Sequence, residues 1–142
     1  MDIIIHFNLE INLKKIVFTL LLTLSTLFAS LSVEYPSHKI LDSKIPIVDI
    51  RTPGEWKETG LLKGSIPIMF FNEQGGYDID GFLTELNKKV DTTKPFAIIC
   101  RTASRTRIVG DFLSKKLHYQ VIDLAGGMVY VKAKNLPITP YK

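Results

Sequence analysis

The chain holds one cysteine, Cys100, set between an apolar run, FAII at residues 96–99, and a segment carrying three arginines, Arg101, Arg105 and Arg107. A single thiol cannot close an internal disulfide, so it is either an inert core residue or a free group kept for chemistry. Its neighbours favour chemistry. A thiolate is the reactive form, and it needs a positive, partly open environment. Arg101 and Arg105 bring two charges, and a helix that starts just after the cysteine would add the partial positive charge of its free N–H groups. The residues between the arginines, Thr102, Ala103 and Ser104, are small enough for the backbone to wrap around a small anion. The expected site is therefore Cys100 as nucleophile, with Arg101, Thr102, Ala103, Ser104 and Arg105 as the substrate-binding loop.

Spacing narrows the chemistry. Cysteine-dependent phosphatases place five residues between the cysteine and the arginine that grips phosphate, whereas here four residues separate Cys100 from Arg105. The next position is Thr106, and Arg107 lies one further. Such phosphatases also use an aspartic acid to protonate the leaving group, and no local feature nominates one. His38 and His118 lack partners at ligand spacing, so no metal site is expected.

A loop of this kind has to be held at the end of a strand, and the surrounding sequence supplies the elements. IPIVDI at residues 45–50 reads as a buried strand, and Thr52, Pro53 and Glu55 after it form a capping box with proline at the first helical position. That helix should end at Gly60. SIPIMFF is a second strand candidate. A helix starting from an aspartate cap should then present Phe82, Leu83, Leu86 and Val90, and Pro95 ends it. FAII is the third strand. The helix following Cys100 should show Ile108, Val109, Phe112, Leu113 and Leu117 on one face. YQVIDL gives a fourth strand, Gly126 and Gly127 a tight turn, and MVYVKAK a last short helix. Alternating strands and helices, with strands apolar on both faces, predict an α/β fold: a small three-layer domain with a central, mostly parallel sheet of four to five strands flanked by helices. Asp49 and Arg51 are expected to form a strand-end salt link near the site, Trp56 to enter the core, and Gly126 and Gly127 to support the loop from beside it.

The bulk composition agrees. A chain of 142 residues, 46% hydrophobic, suffices for one compact domain. The formal charge is +4, and from residue 100 onward eight Lys and Arg face only Asp111 and Asp123, so this third of the chain should attract anions. There is no Lys/Arg-rich run, aromatic-studded basic strand or Cys/His finger spacing, which argues against nucleic acid. Residues 1–32 read as an N-terminal leader: Lys14 and Lys15 precede an uncharged stretch, residues 16–31, containing five Ser/Thr. That stretch suits a secretory signal better than a bilayer span, with cleavage before Val33 and a domain over residues 33–142. The expected location is periplasmic after export; the alternative is an uncleaved membrane anchor, the one route to a membrane. The thirteen residues before Lys14 suggest a start assigned too early or an extended leader.

The loop CRTASRT at the end of a strand, with DIRTPGEW some fifty residues upstream, resembles the rhodanese family of single-domain sulfurtransferases. The resemblance runs from Val33 to Pro137 and includes Asp49, Arg51, Thr52, Pro53, Glu55 and Trp56, then Gly60, then KGSIPI, then the six-residue loop 100–105, and LAGGMVYVKAKNLPI at the end. Two departures are Leu61 and Leu62 after Gly60, where the family commonly has His-Ile, and Tyr130, where a tryptophan often follows the glycines. The resemblance implies a rhodanese-like fold and a persulfide relay. The Cys100 thiolate would take the outer sulfur of a small anionic donor such as thiosulfate and pass it to a thiol or cyanide, without metal or organic cofactor, in a monomer or weak dimer. Two other functions remain open on the residues: a persulfide carrier without turnover, and a cysteine phosphatase or arsenate reductase.

Overall fold

Successive strand residues point to opposite faces, and here both faces are apolar. Val48, Ile50, Phe96, Ile98 and Cys100 join one buried cluster, while Ile47, Ala97, Ile99, Ile122 and Leu124 join another. Such strands need cover on both sides. The computed structural model, which describes Lys15 and residues 30–142, provides it. The expected leader lies outside the described residues except for Lys15 and residues 30–32.

Along the chain follow β1 (Leu31–Glu34), α1 (His38–Asp42), β2 (Ile47–Asp49), α2 (Pro53–Thr59), β3 (Leu61–Leu62), β4 (Ile66–Pro67), α3 (Ile79–Lys89), β5 (Phe96–Ile99), α4 (Ser104–Leu117), β6 (Val121–Leu124), α5 (Gly127–Ala133) and β7 (Ile138–Thr139). Five strands form a parallel sheet in the order β1, β6, β5, β2, β4. The side chains of α3 and α4, Phe82, Leu86, Val109 and Leu113, cover one face. Those of α1 and α5, Ile40, Met128 and Val131, cover the other. The expected three-layer α/β fold is the one observed.

The connections explain where a ligand would sit. From β2 the chain moves outward to β4, then returns to β5 on the other side of β2 and continues away to β6. Consecutive crossovers thus leave β2 and β5 in opposite directions, which opens a crevice at their carboxyl ends. Asp49 ends β2, and Cys100 follows β5.

Three elements went unread in the sequence: α1, the edge strand β1, and a second, antiparallel sheet of β3 and β7. The helix α1 is a single capped turn, with the Ser37 side chain accepting from Ile40 N–H at 3.3 Å. Strand β1 begins at Leu31, ahead of the expected cleavage point, and pairs with β6 from Leu31 to Glu34. The face of α4 also differs from expectation at one position. Ile108 is 62% exposed, while Thr106, Val109, Gly110, Leu113 and Ser114 are buried. The buried stripe is turned toward Thr106 and Gly110 because the cysteine loop sits against the first and the Leu31 side chain lies against the second. Ile108 is thereby left on the outer side.

Candidate active site

Cys100 is fully buried at the mouth of α4. The residue before that helix, Ala103, has φ +75° and ψ 2°, a left-handed conformation that an L-residue adopts at a cost of roughly 1–2 kcal/mol. The turn directs the Ala103 N–H onto Cys100 Sγ at 3.2 Å. Thr106 Oγ1 stands 3.7 Å from the same sulfur and donates to the Ala103 carbonyl at 3.2 Å. Small residues in this loop were expected to let backbone amides approach the sulfur; the amide that hydrogen-bonds to it is that of Ala103. The hydroxyls of Thr102 and Ser104 are exposed and lie 3.4 Å from each other.

The two loop arginines part company. Arg105 is half-buried and held by Glu55 through Nη1 to Oε2 at 2.8 Å and Nη2 to Oε1 at 2.6 Å. The hydrogen bonds that Arg105 donates to Glu55 raise its pKa, its own burial opposes this, and the Glu55 charge and the nearby Cys100 add to the rise. Arg101 is exposed and lines a cavity of about 120 Å³ between α2 and α5. Arg107, one turn into α4, is exposed as well. The position at which a phosphatase would carry its arginine is occupied by buried Thr106.

Beside the loop, Arg51 and Asp49 make a fully buried pair. Arg51 Nε donates to both carboxylate oxygens of Asp49, at 2.9 and 3.1 Å, and Nη2 donates to Oδ2 at 2.7 Å. The remaining guanidinium hydrogens reach Thr59 Oγ1 at 2.6 Å, the Gly60 carbonyl at 2.7 Å and the Glu55 carbonyl at 3.4 Å. Trp56 Nε1 donates to Asp49 at 3.2 Å. With every charge compensated, the pair ties the end of β2 to the far end of α2 and is consumed by that work. Helix α2 in turn holds Glu55: its capping box is formed by the Glu55 N–H donating to Thr52 Oγ1 at 3.3 Å and the Thr52 N–H donating to Glu55 Oε2 at 3.1 Å. Glu55 is thus aimed at Arg105 by its own helix cap.

Gly126 and Gly127 both have positive φ, +74° and +54°. A side chain on Gly127 would run into the carbonyl of Cys100 and the backbone of Arg101. This close approach lets Met128 N–H donate to Cys100 O at 2.9 Å and Val129 N–H to Arg101 O at 3.1 Å. The glycines therefore seat α5 on the outer edge of the cysteine loop.

Two residues behind the loop were not singled out from the sequence. Asp123 is buried on β6, and its Oδ1 has no hydrogen-bond partner among the described residues. Burial pushes its pKa up, against the lowering effects of the Thr106 hydroxyl and the Arg107 charge. One acid inside the apolar run VIDL was the available signal. Thr106, between Asp123 and the sulfur, shows itself only as a polar residue on the buried stripe of α4.

The Rhodanese-like domain family profile matches residues 35–134. A relative from Rickettsia prowazekii (strain Madrid E), an uncharacterised protein, is 33% identical over 78 residues, 53% of this chain and 62% of that protein. The match thus spans less than two thirds of the relative's own length. Among solved structures, the fold is similar to the polysulfide-sulfur transferase homodimer of Wolinella succinogenes, with a TM-score of 0.59 and 20% identity over 88% of this chain and 91% of that one. It is also similar to a rhodanese-related protein from Thermoplasma volcanium, with a TM-score of 0.57 and 21% identity over 79% of this chain and all of that one. At these identities the likeness establishes a shared fold.

Proposed function

The chain belongs to the rhodanese-like domain family, and from that premise we propose that it is a sulfurtransferase carrying a sulfane sulfur on Cys100. The observation that carries the reading is the left-handed turn at Ala103, which bends the loop so that a backbone N–H meets the lone sulfur. A strained residue held in place to solvate one atom favours a reactive atom.

In the first half-reaction the Cys100 thiolate attacks the outer sulfur of a thiosulfate-like donor. A bond forms between the two sulfurs, the donor's own S–S bond breaks, and sulfite leaves with the electron pair. In the second, a cyanide carbon or an acceptor thiolate attacks the terminal sulfur of the persulfide, and the Cys100 thiolate is regenerated. Each species on Cys100 is an anion, and preorganised N–H donors and cations stabilise such charge without reorganisation. Ala103 N–H is the donor already at the sulfur, and Thr106 Oγ1 stands beside it.

Intact-mass measurement after incubation with thiosulfate tests this. One added sulfur is expected on the wild type and none on Cys100→Ser, with release of thiocyanate on adding cyanide. Sulfur loading that survives Cys100→Ser overturns the proposal.

A second reading is favoured by the burial of Cys100 and the engagement of Arg105 by Glu55: a carrier loaded by a partner protein. It predicts loading without steady-state turnover of thiosulfate and cyanide.

A further inference from the structure

Asp123 is 2% exposed, and the orphaned Oδ1 of its carboxyl group is costly to keep in the interior. Its place in the sheet relates it to Cys100. Asp123 of β6 lies in register with Ile98 of β5, and alternation from Val121 and Ile98 puts Asp123 and Cys100 on the same face, the one covered by α4. Helix α4 runs back over this face from the carboxyl ends of the strands. A methyl group on its Gly110 would meet Leu31 of β1 and Ile98 of β5, so the helix passes over β6, the strand between them. Thr106 lies one turn nearer the carboxyl ends, fully buried and 3.7 Å from Cys100 Sγ. Its hydroxyl therefore occupies the layer between α4 and the sheet at the level of both Asp123 and the sulfur.

Few groups face Asp123 there. Strand β1 offers Leu31 and Val33 on this face, β5 offers Ile98 and Cys100, and α4 offers Thr106 and the charge of Arg107. Of these, Cys100 titrates and Arg107 carries a fixed charge. Two neighbouring buried acids do not both ionise readily, and their protons come off as those of a pair. One negative charge, on the carboxylate or on the sulfur, is what a single compensating arginine supports.

We propose that Asp123 takes up the Cys100 proton through Thr106 when the thiolate forms and returns it when the sulfur has been passed on. Cys100 Sγ–H gives its proton to Thr106 Oγ1, which gives its own to the Asp123 carboxylate, since a hydroxyl can accept one hydrogen bond while donating another. The thiolate and then the persulfide anion thus stand beside a neutral acid. After the acceptor removes the terminal sulfur, the proton returns to the Cys100 thiolate along the same path. The buried charge stays at one throughout. This role rests on the sulfurtransferase reading for its place in turnover, but the shared proton can be measured without sulfur transfer.

The rate of Cys100 alkylation by uncharged iodoacetamide, followed in the full-length protein from about pH 5 to about pH 7, reads that proton. In wild type it stays within the pair, and the rate should change less than about twofold across the range. In Asp123→Asn it must leave to solvent, and the rate should rise about tenfold per pH unit. Thr106→Val removes the hydroxyl that links the two groups and should lower the rate in the flat region about tenfold, the loss of one hydrogen bond to a charged group. A wild-type profile as steep as that of Asp123→Asn, or an unaltered rate in Thr106→Val, overturns the proposal. If the profiles differ as expected while Cys100 never takes up sulfur from thiosulfate, the shared proton stands and the sulfurtransferase reading falls. If sulfur loads onto Cys100 but the two profiles are equally steep, the role of Asp123 alone is lost.

Discussion

Glu55 grips Arg105 through two hydrogen bonds, of 2.6 and 2.8 Å, across fifty residues of chain. Each residue sits in the first turn of a helix, α2 after strand β2 and α4 after strand β5, so the pair bridges the crevice where those strands end. One carboxylate serves two purposes: Oε2 also accepts the Thr52 N–H and completes the cap of α2. An arginine held in this way is less available to an incoming anion than the spacing of the loop suggests.

Glu55→Gln keeps a capping side chain but removes the charge. The variant should therefore fold, and Arg105 should become free to attract anions. The rate of Cys100 alkylation by iodoacetate relative to iodoacetamide should rise about fivefold, the effect of one released and partly buried charge. An unchanged ratio would show that the pair does not screen the sulfur. Stability carries the same signature. Burial pushes the Glu55 pKa up, but the hydrogen bonds from Arg105 and Thr52, with the charges of Arg105 and Arg51, bring it below its ordinary value of 4.5. A depressed acid stabilises the fold above its ordinary pKa and loses that contribution as pH falls through the lower, folded value. The advantage of wild type over Glu55→Gln in urea unfolding should be present at neutral pH and shrink below about 4.5.

Gly127→Ala should loosen the loop from outside. The residue has φ +54°, and a methyl group there collides with the backbone of Cys100 and Arg101. The left-handed conformation alone costs about 1–2 kcal/mol, and displacement of α5 would break the Met128 and Val129 hydrogen bonds as well. Urea unfolding should report a loss of at least that size, together with faster amide exchange at Met128 and Val129. Stability and exchange equal to wild type would mean that the close approach is not needed.

Asp123→Asn probes the buried acid behind the sulfur. Because burial raises the pKa of Asp123, the folded state favours its protonated form. A raised acid contributes stability that is present below its ordinary pKa, 3.8, and lost as pH rises through the folded value. The variant should match wild type at pH below about 3.8 and become progressively more stable than wild type toward neutrality. Denaturation midpoints across that range check the sign, and a variant destabilised at neutral pH would show that Asp123 is retained as a charged partner.

Much of this site is written locally. The capping box of α2, the stop at Gly60, the aspartate cap of α3 and the short strands apolar on both faces all follow from neighbours a few residues apart, and all are present in the structure. Ile108 shows where that logic ends. Helical spacing alone assigns it to the apolar face, but the stripe is set by what packs on it, and Leu31 and the cysteine loop claim Gly110 and Thr106 instead. The edge strand β1 and the β3–β7 pair were illegible because strands of two to four residues acquire their meaning from partners ninety and nearly eighty residues away.

By itself the sequence determined the layered α/β architecture and the concentration of a lone thiol, small residues and arginines at the start of one helix, since periodicity, capping and turn chemistry act over short distances. Only the tertiary structure decided how those charges are spent. Arg51 is neutralised by Asp49 and Arg105 by Glu55, while Arg101 faces an open cavity, because an ion pair depends on which side chains the sheet order brings within a few ångströms. No spacing in the chain states that distance.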